Sequence, residues 1–117
     1  SEFQVRFMEA VFAADKEMQK YTHLSGEIVR LKVGRDTMMS MLSSRDLYNK
    51  YMSSKPGAHY MEHTFMGWPI ETEMSLDGQV QFEIRYGYKL SPRNAAKVMN
   101  EALIRPHRHY FEVRVLQ

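Results

Sequence analysis

Two stretches of the chain set their large apolar residues at a period of two. Between residues 64 and 74, Met66, Trp68, Ile70, Thr72 and Met74 fall on one face. Between residues 80 and 90, Val80, Phe82, Ile84, Tyr86, Tyr88 and Leu90 do the same. Period two over this length, rich in β-branched and aromatic residues, predicts two strands. Asp77-Gly78 lies between them and reads as the turn of a β-hairpin. A two-residue loop would pair Met74 with Gln81 and set apolar residues opposite polar ones. A three-residue loop, Leu76-Asp77-Gly78, instead pairs Met74 with Val80, Ile70 with Ile84 and Trp68 with Tyr86. It also puts Gly78 where a left-handed residue is wanted. The spacing therefore predicts the three-residue loop. Pro69 cannot donate to a ladder, which predicts that its strand is an edge.

Helical periodicity governs the start of the chain. Phe3, Phe7, Met8, Val11, Phe12, Met18 and Tyr21 recur at three- and four-residue spacing and predict an amphipathic helix over residues 3–21. Ser1-Glu2-Phe3 lacks a starting Met and is compatible with a vector scar, which would make the helix 4–22. Residues 27–33 alternate Val29, Leu31 and Val33 with Arg30 and Lys32, predicting a strand that Gly34 ends. A helical reading of this stretch stays open, because Leu24, Ile28 and Leu31 also fit that period. Asp36 then reads as the N-cap of a helix from Thr37 to about Ser53, with Met38, Met41, Leu42, Tyr48 and Met52 on its buried face. Ser43-Ser44-Arg45-Asp46 resembles a second capping box, where that helix kinks or splits. Residues 53–57 read as a loop. Ser91-Pro92 starts a further helix that Pro106 stops. Phe111, Val113 and Val115 mark a closing strand.

The predicted fold is thus α+β, a single domain over residues 1–117. An N-terminal helix precedes a βαββαβ, ferredoxin-like antiparallel sheet. If residues 27–33 are helical, the fold becomes a three-stranded antiparallel sheet packed by three to four helices.

Composition narrows the function classes. The chain has 117 residues, 44% hydrophobic and 12% aromatic, which argues against disorder. No apolar run is long enough to cross a membrane, and the start carries no secretory pattern. The absence of cysteine excludes disulfides and thiolate metal sites, and fits a reducing, cytoplasmic setting. A net charge of +2 is too small to imply nucleic acid by itself. Ten methionines are many; they are flexible core filler or an adaptable binding surface.

Three patterns carry candidate chemistry. His59-Tyr60-Met61-Glu62-His63 matches the H-x-x-E-H pattern of inverted zinc proteases, with Glu62 as general base. That chemistry needs both histidines on one helical turn. The segment instead follows Pro56-Gly57 and runs into a strand. His107 and His109 share a face in a strand and could clip a metal, or sit in a solvated basic loop with Arg105 and Arg108. The basic residues Arg30, Lys32, Arg85, Arg105, Arg108 and Arg114 are a candidate phosphate-contacting set. Against an RNA-recognition sheet, Phe82, Tyr86 and Tyr88 are in phase with the core. The opposite face carries Gln81, Glu83, Arg85, Lys89, Glu71 and Glu73 and is mixed in sign. No glycine-rich phosphate loop is present, and no cofactor is implied.

Thr64-Phe65-Met66-Gly67-Trp68-Pro69-Ile70-Glu71, after a helix and a Pro-Gly loop, resembles a hairpin in small uncharacterised proteins of tailed phages and prophages. Those carry an aromatic-Met-Gly-x-Pro-Ile/Val segment, and Trp68 stands where a small aliphatic residue is common. The resemblance implies a phage origin, a place in the host cytoplasm, and no activity. It favours a non-enzymatic protein-binding module, either an assembly factor or an inhibitor of a host protein. The expected contact surface is the first helix (Phe3, Phe7, Val11, Phe12) and the hairpin edge (Phe65, Glu71, Glu73), meeting a protein partner or a second copy. A nucleic-acid-associated protein is one alternative, and a metal-dependent enzyme using His59, Glu62 and His63 is the other.

Overall fold

The computed structural model describes residues 2–22, 24–88, 93 and 108–117. It is α+β: an N-terminal helix and further helices accompany a six-stranded mixed sheet. Helix α1 (Glu2–Met18) buries Phe7, Ala10, Val11 and Ala14. The two alanines let its backbone lie close to the sheet, where it meets β1 (Leu24–Val33), β5 (Gln79–Tyr88) and β6 (Arg108–Arg114). Phe7 stands edge-on to Phe65 at 5.0 Å between ring centres, an arrangement aromatic quadrupoles favour.

The sheet runs β2-β3-β4-β1-β5-β6, where β2 is Met52–Pro56, β3 Met61–Phe65 and β4 Trp68–Thr72. This corrects the predicted hairpin. Strands 64–74 and 80–90 do not pair, because β1 stands between them. β4 runs parallel to β1, with Leu31 opposite Ile70. β5 runs antiparallel to β1, with Leu31 opposite Phe82. Six strands in this order replace the expected ferredoxin-like sheet. Leu31 and Val33 are wholly buried, and a strand that apolar gains more from two neighbours than from an edge. The connection from Glu73 to Gly78 contains a 3-10 turn (Met74–Leu76) and spans two strand spacings, roughly 10 Å. A tight three-residue loop could not. Gly78 does take the expected positive φ, 74°.

Other expectations divide in the same way. Residues 27–33 are a strand, with a register shift between Ile28 and Arg30 that places Ile28, not Val29, in the core. The predicted helix 37–53 splits at Ser44 into α2 (Arg35–Ser43) and α3 (Arg45–Tyr51). Residues 53–57, predicted as a loop, belong mostly to β2, which pairs with β3. Pro69 lies on β4, between β3 and β1, and not on an edge. It is tolerated because pairing with β1 covers only Ile70 to Thr72, just beyond it. The helix expected after Ser91-Pro92 lies outside the described residues, as do Leu90, Arg105 and His107. The closing strand is present as β6.

The true hairpin turn is Met66-Gly67, joining β3 to β4 with φ of 51° and 83°. Positive φ at both positions matches the right-handed twist of the flanking strands. It costs a β-carbon-bearing residue about 1–2 kcal/mol. Met66 is half exposed and gives little packing in return. Met66→Asn is therefore expected to raise stability by about 0.5–1 kcal/mol, read as a higher urea midpoint at unchanged slope.

Asp36 is not the N-cap of α2; Gly34 is. Its carboxylate instead accepts the Gly78 backbone N–H at 2.9 Å and that of Thr37 at 2.8 Å. A β-carbon on Gly34 would come within 2.4 Å of the Leu76 carbonyl oxygen, so the crossing chain requires glycine there. Asp36→Ala should cost about 2 kcal/mol, since it strands a part-buried amide that bonds to a charged acceptor. Chemical denaturation measures this, and a change within experimental error would remove the carboxylate from its clamping role.

Candidate binding surface

The outer face of the sheet pairs its charges across strands. Lys55 meets Glu62 at 3.7 Å, Arg30 meets Glu71 at 3.6 Å, Arg85 meets Glu27 at 2.8 Å, and Arg108 meets Glu83 at 3.5 Å. Gln81 donates to Glu112 at 2.7 Å. Lys32 sits in register between Glu71 and Gln81. Arg114 donates to the Leu116 carbonyl oxygen at 3.3 Å. A phosphate backbone is held by like charges free to replace its counterions. Here Arg30, Arg85 and Arg108 are each engaged by a carboxylate, and Arg105 lies outside the described residues.

The described histidines, His59, His63 and His109, do not assemble a metal centre. His59 sits exposed in the bend between β2 and β3. Glu62 and His63 follow on β3, where successive side chains point to opposite faces. Glu62 faces outward to Lys55, whereas the Nδ1 of His63 lies 2.6 Å from the Ser54 hydroxyl. The helical turn that H-x-x-E-H chemistry needs is therefore not formed. Among the described residues no group of three His, Cys, Asp or Glu could hold a metal ion.

Ser54 is also 2.8 Å from the Tyr48 hydroxyl. A serine so close to an imidazole suggests a nucleophile and its base. Here, however, the tyrosine takes the other side of the serine. Tyr48 donating to Ser54, and Ser54 to Nδ1, gives each of the three groups a partner. The relay ties α3 to the β2–β3 hairpin, alongside the Met66 N–H bond to the Tyr51 carbonyl oxygen at 2.7 Å.

A second polar cluster closes the end of α1. Glu17 meets Lys20 at 2.6 Å and the Nε2 of His109 at 3.3 Å, which ties the helix to β6. The hydrogen bond from Lys20 holds the Glu17 carboxyl below its ordinary value of 4.5, against partial desolvation and aided by the charges of Lys20 and His109. Burial pushes the nearby Tyr86 hydroxyl up.

The apolar surface lies elsewhere. α2 buries Thr37 and Met41 against the core. On the flank toward the 3-10 turn it exposes Met39 (63%) and Leu42 (40%), and across the gap Met74 is 84% exposed. These three, with Met38, Thr72, Arg35 and Glu73, line a groove of about 430 Å³. It continues into a second of about 380 Å³ that shares Arg35, Met39 and Met74 and reaches Asp77. On the other flank of α2, Ser40 and Ser43 face Phe3 and Gln4 of α1 across a cleft. α1 itself exposes Val5 and Phe12 on its outer side.

Several predicted contact residues are thereby reassigned. Phe7, Val11 and Phe65 are buried in the core and cannot meet a partner. Phe3 is partly buried against them. Phe12, Glu71 and Glu73 remain exposed, though Glu71 is paired with Arg30 and lies on β4, which is not an edge. The groove was missed: the predicted strand put Met74 inside, and the predicted helix put Met38 and Leu42 inside. The surplus of methionine was the signal, but composition cannot say which ones surface. Comparison with family models, curated proteins and solved structures returns no match to this chain.

The Glu17 carboxyl gives a pH prediction. Its value is lower folded than unfolded, so its stabilisation is fully present above 4.5 and is lost as pH falls through the folded value. Lys20→Met should flatten the decline of Tm across that acid window relative to the parent chain. Parallel declines in the two proteins would show that the pair contributes nothing.

Proposed function

We propose that this chain is a non-enzymatic protein-binding module whose contact surface is the methionine groove between α2 and the 3-10 turn. One observation carries the reading: Met39, Leu42 and Met74 stand exposed together along one groove. Methionine side chains are unbranched and polarisable, so they adapt to an apolar partner surface. The groove fits an amphipathic helix, whose apolar residues at i, i+3 and i+7 would fill it. Its rim offers a cation, Arg35, beside two carboxylates, Glu73 and Asp77, so the preferred helix carries charges of both signs. A role as an assembly part or as an inhibitor of a host factor is consistent with this surface and with the phage-like Phe65-to-Ile70 segment. The cross-strand charge pairs disfavour a nucleic-acid role.

Selection of an mRNA-displayed peptide library against the parent chain, with counter-selection on Met39→Asp/Met74→Asp, tests this. Enriched peptides should share apolar residues at helical spacing and bind the double variant at least about tenfold more weakly. If no sequence enriches over the counter-target, the groove is not a binding surface.

A further inference from the structure

The groove is matched by a surface on the same chain. On α1, Val5, Glu9, Phe12 and Lys16 recur at four, three and four residues, and all four are exposed. That spacing puts them in one stripe along the helix. Val5 is 56% and Phe12 61% exposed, large fractions for apolar residues on a helix whose opposite face is fully packed. The stripe reads apolar, acidic, apolar, basic. It is about 16 Å long, and α2 along the groove is about 14 Å.

The groove carries the complement. Its apolar floor is Met39, Leu42 and Met74, its cation is Arg35, and its carboxylates are Glu73 and Asp77. Among the described residues, none of Glu9, Lys16, Arg35, Glu73 or Asp77 takes part in an ion pair within the chain. The outer sheet face, by contrast, pairs Glu27, Glu62, Glu71 and Glu83 with basic side chains. Within one chain the first turn of α1 (Phe3, Gln4) meets the opposite flank of α2, at Ser40 and Ser43, and none of the stripe residues lines the groove.

We propose that the groove is occupied by the α1 stripe of a second copy of this chain. Phe12 and Val5 of one copy enter the methionine groove of the other, Glu9 pairs with Arg35, and Lys16 pairs with Glu73 or Asp77. A two-fold rotation between the copies sets each stripe in the other's groove. The contact is then made twice and closes as a dimer. This rests on the groove being a protein-binding surface and names its occupant.

Sedimentation equilibrium over a range of concentrations, combined with charge reversal, tests the inference. The parent chain should approach twice its 13.8 kDa mass as concentration rises. Glu9→Arg or Arg35→Glu alone should weaken association about tenfold or more, and the two together should recover it to within about threefold. Both side chains are exposed, so unchanged circular dichroism separates lost association from lost fold. A parent chain that stays monomeric at every concentration overturns the inference. So does a dimer indifferent to either reversal, or a double variant that fails to recover. The peptide selection, run below the dimer's dissociation constant, separates the two ideas. A monomer whose groove still selects amphipathic helices sinks the self-pairing and leaves the binding surface standing. A monomer that selects none removes both.

Discussion

The insertion of β1 between β4 and β5 is the constraint on which the rest of the fold depends. It makes β1 a central strand with wholly buried Leu31 and Val33, and obliges the chain after β4 to cross the end of β1 before it can continue. Three contacts hold that crossing. The Glu73 N–H donates to the Val33 carbonyl oxygen at 2.8 Å, and the Gly34 N–H to that of Gln79 at 3.4 Å. The Asp36 carboxylate takes the Gly78 N–H. The same few residues end β1, start α2 and start β5. The position of α2, and so of the groove beside it, follows from how β1 is closed.

The core is built outward from there. Phe82, Ile84 and Tyr86 on β5 and Phe65 on β3 supply much of its volume, with α1 laid across through Phe7. Burial of side chains this size contributes about 1.5–3 kcal/mol each. With Phe7 and Val11 committed inward, the leading helix needs no partner for its packed side. Only its far face is open, and there two large apolar residues stand among charges.

Electrostatics divides the surface in two. Across the strands each basic side chain of the four ion pairs meets a glutamate, so the sheet's outer face has little field to offer a polyanion. Around α2 and along the outer stripe of α1, Glu9, Lys16, Arg35, Glu73 and Asp77 stand beside apolar residues and, among the described residues, take part in no ion pair. That contrast, rather than net charge, is what the proposed protein recognition at the helical side rests on.

Periodicity in the sequence was enough to place the inward faces of β5 and β6, to favour a strand over residues 27–33 while leaving a helix open, and to mark a kink or split of the second helix near Ser44. Each of these depends on neighbours within a few residues: alternation fixes a strand's face, and capping residues fix a helix end. The α+β class was legible for the same reason. Strand partners were not. Alternation says which side of a sheet a residue occupies but nothing about which strand lies beside it, so 64–74 and 80–90 read as a hairpin although β1 separates them. The 3-10 turn at Met74–Leu76 was hidden inside that apparent alternation, and with it the exposure of Met74. Asp36 looked like a helix cap because its role, holding an amide 42 residues away, exists only after the crossing forms. The groove belongs to this second kind of information. Met39 and Leu42 lie on one helix and Met74 on a distant turn, and only the closure of β1 brings them together.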